Sequence, residues 1–505
     1  MGRAILSGFA LAAVCLPAMT AIAAAPVAPA YPETRRETVV EEHFGERIAD
    51  PYRWLENDVR NDGEVADWVA RENAVTHGYL NQLPQRAWFA KRIRELMAYE
   101  RFGLPVKAGH RYFYTRNSGL QNQSQLFVRE GLKGKPRLLI DPNAWAKDGA
   151  TALDDWRPSD KGRYLLYSVQ DGGTDWRVLR VIDAATGTVL PDEIRYAKYT
   201  ALAWIGDQGF LYSRFPKPEE GQAFQARTYN QAVWFHRLGT SQDQDERVYA
   251  TPDRPELGHA AQVTSDGRYV VITSSTGTDA RYEVHVVDLG AHAAQRGQGG
   301  VWHARTLVTG FDHDWQLVDS LGSRMWFVTN AGAPRYRLVS VDLAHDQVAW
   351  QEIVGENEEK LERADIVGSK LVLNYLKDAA SRAVVVDLAG KAGGLITLDG
   401  IGTASGFHGK PGDPETFYAF SSFNRPSTIY RFDMSSGRST IFAQPELTFD
   451  PEAYHVEQRF YTSKDGTRVP MFIVRAKAAA VAGKPVPTLL IAETVRVYSV
   501  SLTRP

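Results

Sequence analysis

Apolar residues follow three successive patterns along this chain. Between residues 61 and 97 they recur at helical spacing. Val65, Trp68, Val69, Val75, Tyr79 and Leu80 make one stripe, and Trp88, Phe89, Ile93, Leu96 and Met97 a second. Asn61, with Glu64 three positions later, reads as a capping box, and Pro84 suits the start of the second helix. The aromatics of both stripes are expected to pack in a core. Residues 33–100 therefore read as a helical segment laid against another body.

From Gly109 the period shortens. Runs rich in aromatic and β-branched residues follow turns, as in Arg111-Tyr-Phe-Tyr, Arg163-Tyr-Leu-Leu-Tyr, Gly209-Phe-Leu-Tyr and Arg268-Tyr-Val-Val-Ile. Arg324-Met-Trp-Phe-Val, Lys370-Leu-Val-Leu and Thr416-Phe-Tyr-Ala-Phe continue the series, and the starts lie 52, 46, 59, 56, 46 and 46 residues apart. A second run, often ending in Asp, follows most of them and ends at Asp183, Asp288, Asp342 and Asp387. Each unit of about 50 residues has room for four strands and cannot bury both faces of its sheet alone. Radial stacking into a closed ring solves that problem, whereas a sandwich explains the strands but not the repeat. The pattern predicts a mainly β protein with a seven-bladed β-propeller.

After residue 450 the repeat stops. Glu457 to Tyr461, the Asp465-Gly466 turn and Val469 to Val474 predict a hairpin. A loose Ala/Gly/Pro stretch over 478–487 leads to Thr488-Leu-Leu-Ile491, which reads as a short buried strand opening a new α/β domain.

Composition changes this picture at the N-terminus. Arg3, the apolar stretch Ile5 to Ala18 and Ala21-Ile22-Ala23 make a signal peptide cleaved before Ala24. Pro17 and small residues stand where a membrane span would have to continue. Export to a periplasm or beyond follows. Cys15, the single cysteine, falls inside that segment, so the mature chain would have no disulfide, thiolate metal site or cysteine nucleophile. The formal charge of −2 argues against nucleic acid as a partner.

Catalytic signatures are missing from these 505 residues. No G-x-S-x-G occurs; the nearest string, Gly402-Thr-Ala-Ser405-Gly406, has the wrong spacing, and Ser405 is expected in a turn between blades. The twelve histidines are scattered, with no H-E-x-x-H, and Asp312-His313-Asp314 reads as a solvated loop. No phosphate loop or dinucleotide fingerprint is present, and no cofactor is expected. Asp154-Asp155 and Glu358-Glu359 read as adjacent exposed charges.

Several stretches in order resemble the prolyl oligopeptidase family over almost all of the mature chain. They are Asp50-Pro-Tyr-Arg-Trp-Leu-Glu56, Arg111-Tyr-Phe-Tyr114 with Gly119-Leu-Gln-Asn-Gln123, Ser265-Asp-Gly-Arg-Tyr-Val270, and Tyr461-Thr-Ser-Lys-Asp-Gly-Thr467 with Val469 to Val474. The resemblance implies N-terminal helices, a seven-bladed propeller, and a C-terminal α/β-hydrolase domain whose active site the propeller covers. It implies cleavage of short peptides after proline by a Ser-Asp-His triad, in which Ser attacks, His moves the proton and Asp orients His.

At the decisive place the chain departs from that pattern. Where the family carries a glycine-rich stretch with an oxyanion tyrosine, this chain reads Ile491-Ala-Glu-Thr-Val-Arg-Val-Tyr498, and Tyr498 lacks the flanking glycines. The expectation is a signal peptide at 1–23, a helical segment at 24–105, a propeller at 106–452 and the start of an incomplete hydrolase domain at 453–505. Frame disruption near codon 490 would produce such an end. An undisturbed gene with a natural stop there would refute it.

With the triad in the missing part, this chain alone is expected to be inactive. Whether it is an enzyme then turns on a second component, and a stand-alone peptide-binding scaffold is the alternative. Expected partners are short proline-containing peptides, with no nucleic acid, no stable membrane association after signal cleavage, and a monomeric state. No catalytic, cofactor-binding or metal residue carries over. One substrate-facing position does: Tyr199, in Tyr196-Ala-Lys-Tyr199, matches an aromatic that faces the family's active site, and packing within a blade accounts for it equally.

Overall fold

A computed structural model describes residues 30–219, 223, 226–295, 302–479, 486, 488–494 and 497–503. The expected signal peptide and Cys15 lie outside the described residues. The chain divides into two compact units, residues 1–90 and 91–505.

In the first unit, strands Val40–His43 and Glu46–Ala49 form an antiparallel hairpin. Phe44 and Gly45 both take positive φ (54° and 84°), as a two-residue hairpin turn of the favoured twist requires. A short 3-10 turn, Arg53–Glu56, buries Trp54, whose indole N–H donates to the Arg35 carbonyl at 3.0 Å. Helix α1 spans Gly63–Leu80. Its cap is Asp62, one residue beyond the expected Asn61: Asp62 Oδ1 accepts from the N–H groups of Glu64 (2.9 Å) and Val65 (3.2 Å).

Helix α2, Arg86–Met97, begins two residues after Pro84. Its aromatics are not in a core. Trp88 and Phe89 are 61% and 55% exposed and pack edge-on against each other. The stripe has helical spacing, but the described residues do not cover it.

The second unit is a β-propeller. Four sheets have four antiparallel strands each, over residues 257–308, 315–354, 360–396 and 403–443. A five-stranded sheet covers 101–140. An eight-stranded sheet joins the strands of 151–197 to those of 203–250 through one bridging pair, Ala197 and Arg214.

The aromatic and β-branched runs become the second strands of these units because both of their faces are buried. Phe210 and Tyr212 pack toward Leu166 and Leu179 of the preceding strands, while Leu211 packs with Val270 and Ile272 of the following sheet. Tyr269 and Val271 join Met325 and Phe327, and Trp326 and Val328 join Leu371 and Leu373. Val372 then meets Tyr418 and Phe420. A strand covered on both sides cannot alternate apolar with polar, which is why these runs are continuous.

The last sheet meets the first. Phe417 and Ile429 cluster with Tyr112, whose hydroxyl donates to the buried Glu415, and the Arg431 guanidinium binds the other Glu415 oxygen. Lys107 pairs with Asp413 at 2.7 Å.

The recurrent Asp that ends the third strand closes the hairpin to the fourth. Asp183 accepts from the N–H groups of Ala185 and Thr186, Asp387 from Ala389 and Lys391, and Asp433 from Ser435 and Ser436. Strands Tyr454–Thr462 and Arg468–Ala476 form the expected hairpin around Gly466.

Three residue placements differ from the sequence reading. Glu359, read as an exposed charge, is largely covered and pairs with Arg382 (2.8 Å) and Lys377 (3.2 Å). Ser405 lies within strand Thr403–His408, paired with Ala419, and not in a turn. Asp314 is buried, because Gln316 Nε2 and the Tyr336 hydroxyl both donate to its Oδ2 (2.8 and 3.1 Å). Thr488–Thr494 pairs antiparallel with Val497–Thr503, and Leu489, Leu490 and Ile491 are 55%, 53% and 69% exposed. A run apolar on both faces needs cover on both, and the described residues supply none.

Candidate functional site

The first strands of the sheets turn alternate residues outward from their blades. In Leu257–Val263, Leu257 and Ala261 are buried in the sheet, while Gly258, Ala260 and Gln262, with the buried His259 behind them, line a cavity of about 800 Å³. Small residues on that side leave the space open. Trp315, Gln316 and Arg363 come from the first strands of the next two sheets, Tyr199 from the segment between the halves of the eight-stranded sheet, and Phe215 from just beyond strand Gly209–Arg214 in its second half.

Tyr199 is 62% exposed and borders this cavity, with its hydroxyl donating to Asp175 at 2.7 Å. That hydrogen bond to a carboxylate holds the phenol above its ordinary pKa, so it stays a donor and does not serve as a base. Its backbone sits at φ 52°, and Tyr196 at φ 64°. Two left-handed tyrosines within four residues are strained, and the surroundings fix them. Gln231 Nε2 donates to the Lys198 carbonyl (2.9 Å), while its Oε1 accepts from the His259 N–H (2.6 Å). Thr200 Oγ1 accepts from the Ser213 N–H at 2.7 Å.

Neither Gln231 nor Asp175 is signalled by sequence, since both reach Tyr199 through long-range pairing. Lys198 rests over the rings of Trp176 (5.3 Å) and Tyr199 (5.1 Å) and lies 3.8 Å from Asp175, so it packs behind Tyr199.

One arrangement superficially resembles a nucleophile and its base. His259 Nδ1 is 2.8 Å from Ser274 Oγ, and its Nε2 is 3.1 Å from Thr251 Oγ1. Both Ser274 and His259 are buried, and the third group is a hydroxyl, not a carboxylate. Burial, with the nearby charges of His285 and Arg254, lowers the His259 pKa to about 4. This imidazole is a neutral structural group, and its geometry does not meet the requirement for nucleophilic catalysis.

His236 is the opposite case. Its Nδ1 and Nε2 lie 2.7 Å from Asp245 Oδ1 and 3.0 Å from Asp192 Oδ1. Burial would push its pKa down, but the hydrogen bonds to the two carboxylates outweigh it and raise it. Tyr212 also donates to Asp245, at 2.5 Å. Carboxylates only accept, so both ring nitrogens donate and the ring is an imidazolium.

Among the described residues no group of three or more His, Cys, Asp or Glu is placed to hold a metal. The side chain of Tyr498 lies outside the described residues.

A ring of sheets, the last packed on the first, defines a β-propeller, and the cavity opens among the first strands of its blades. Residues 31–445 match the sequence model of the prolyl oligopeptidase N-terminal beta-propeller domain. The chain is 34% identical to the prolyl endopeptidase of Elizabethkingia meningoseptica over 461 residues, 91% of this chain and 63% of that protein. It is 28% identical to the dual function macrocyclase-peptidase POPB of Amanita bisporigera, over 89% of this chain and 65% of that one.

Among solved structures, one from a study of two prolyl endopeptidases and their inter-domain dynamics superposes with TM-score 0.69 at 46% identity, covering 90% of this chain and 64% of that one. Prolyl oligopeptidase B from Galerina marginata, bound to a 35mer hydrolysis and macrocyclization substrate, gives TM-score 0.75 at 26% identity, with 89% and 65% covered. The chain belongs to the prolyl oligopeptidase family. It spans a little under two thirds of the length of these relatives.

Proposed function

We propose that this chain is the substrate-admitting propeller of a prolyl oligopeptidase-type endopeptidase that cuts short peptides after proline. The observation that carries this reading is the family match over residues 31–445, with an open, aromatic-rimmed cavity inside the matched region. Seven blades fit the sheets best when the eight-stranded sheet counts as two, because a single bridging pair joins its halves and an apolar cluster separates them.

On this reading Tyr199 faces the bound peptide, using its ring for a prolyl or aromatic side chain and its hydroxyl oxygen, whose proton goes to Asp175, to accept from a peptide N–H. The 505 residues by themselves do not turn over peptide, since they contain no nucleophile elbow. The catalytic groups belong to the part of the relatives that this chain does not span. Residues 1–23 direct export, and the exported protein is a monomer that associates with neither nucleic acid nor membrane.

The test uses the purified chain with a fluorogenic proline dipeptide or tripeptide and, separately, a proline-containing octapeptide. No turnover is expected, while the octapeptide binds. Tyr199→Phe is expected to weaken binding about five-fold, the scale of one lost hydrogen bond. Turnover blocked by a serine-reactive phosphonate would overturn the assignment of the catalytic groups to another segment. Failure of the octapeptide to bind would overturn the substrate-admitting role.

A further inference from the structure

The eight-stranded sheet parts where its halves meet. Beyond the Ala197 and Arg214 pair, a second cleft of about 620 Å³ opens, separate from the central cavity but sharing Phe215 and Gln231 with its wall. Trp234 is part of its lining. The Arg214 guanidinium lies 4.1 Å from the indole centroid, and Arg247 stands directly opposite Trp234 on the adjacent strand. Lys217 adds a third positive charge, against one acidic residue in the lining, Asp243.

Among the described residues no carboxylate is within ion-pair distance of Arg214, Lys217 or Arg247. Elsewhere on the same sheet Arg177 holds Asp154 at 2.7 Å, and Arg180 and Arg195 both hold Glu193, while Arg157 and Arg237 stand singly without an ion pair among the described residues. What sets the cleft apart is the grouping: Arg214, Lys217 and Arg247, none with an ion pair among the described residues, share one lining with Trp234. Like charges gathered without counter-ions repel one another, so their grouping favours an anion between them. A guanidinium stacked on an indole keeps its donor edge free and fixed in direction, the form suited to gripping a carboxylate with two hydrogen bonds.

We propose that this cleft is an anion-recognising subsite that takes a carboxylate of the peptide held in the central cavity, either an acidic side chain or a free C-terminus. The proposal rests on the peptide-admitting reading above. The shared wall supplies the continuity: a chain lying against Phe215 and Gln231 can reach both spaces.

The experiment is calorimetric titration of the full chain with one proline-containing octapeptide in four forms. These are a C-terminal amide with two Asn, the same amide with two Asp, the Asn form as a free acid, and the Asp amide with Ala for Pro. A carboxylate is expected to tighten binding about tenfold, the scale of one charge-assisted hydrogen bond, and to do so less in high salt. Comparing the Asp amide with the free acid tells side chain from terminus.

Arg247→Gln, at an exposed strand position that folding should tolerate, is expected to erase the advantage while leaving the neutral amide unchanged. Arg214→Lys should keep only part of it. Equal affinity for neutral and acidic forms would overturn the proposal, as would an advantage that survives Arg214→Gln combined with Arg247→Gln, or no binding of any form. An Asp amide that outbinds the Asn amide and loses no affinity when Ala replaces Pro supports the cleft while sinking the preference for proline.

Discussion

At the residue scale, two buried histidines carry opposite pH signatures. His259 faces Ser274 and Thr251 as hydrogen-bond partners, with the charges of His285, Arg254 and Glu283 nearby, and its pKa falls from 6.5 unfolded to about 4 folded. Its protons bind more tightly to the unfolded chain, so its contribution to stability is complete above about pH 6.5. That contribution is lost as pH falls toward 4, and the lowered His285 acts in the same direction. Denaturant titrations between pH 7 and pH 4.5 should show falling stability, with a shallower slope in His259→Gln. An unchanged slope would mean that His259 is not the group concerned. His236, with its raised pKa, stabilises fully below the unfolded value and loses that contribution as pH rises through the folded one.

At the element scale, the sequence was most legible where burial is two-sided. The seven runs of aromatic and β-branched residues all became strands, since no solvent face interrupts them. Capping was legible only to within one residue: Asn61 and Asp62 both carry a suitable side chain, and Asp62 reaches the two N–H groups while Asn61 Nδ2 donates to Asp58. Asp62→Ala should cost about 1 kcal/mol of stability to the first unit, and Asn61→Ala little, as thermal melts would show. What sequence could not reveal depends on partners far along the chain. The left-handed Tyr196 and Tyr199 are not glycines and carry no local mark. Asp314 is drawn inward by Tyr336, and Trp234 meets Arg247 only through strand pairing.

At the scale of the whole molecule, the first and last sheets meet through side chains around Tyr112, Glu415 and Arg431. Glu415 is buried, while Arg431 keeps a quarter of its surface exposed. Glu415→Ala should therefore cost about 2 kcal/mol, less than a fully buried pair, and lower the melting midpoint without splitting the transition. A separate early transition for the first sheet would show that the join contributes little.

The two-sided strands have a mechanical corollary. Every wedge of such an assembly is clasped by neighbours left and right, so it has no terminal repeat from which fraying can start. An open solenoid can peel from either tip, but these staves need their hoop broken first. Hydrogen-exchange protection should then be nearly level from one second strand to the next, instead of grading toward either extremity.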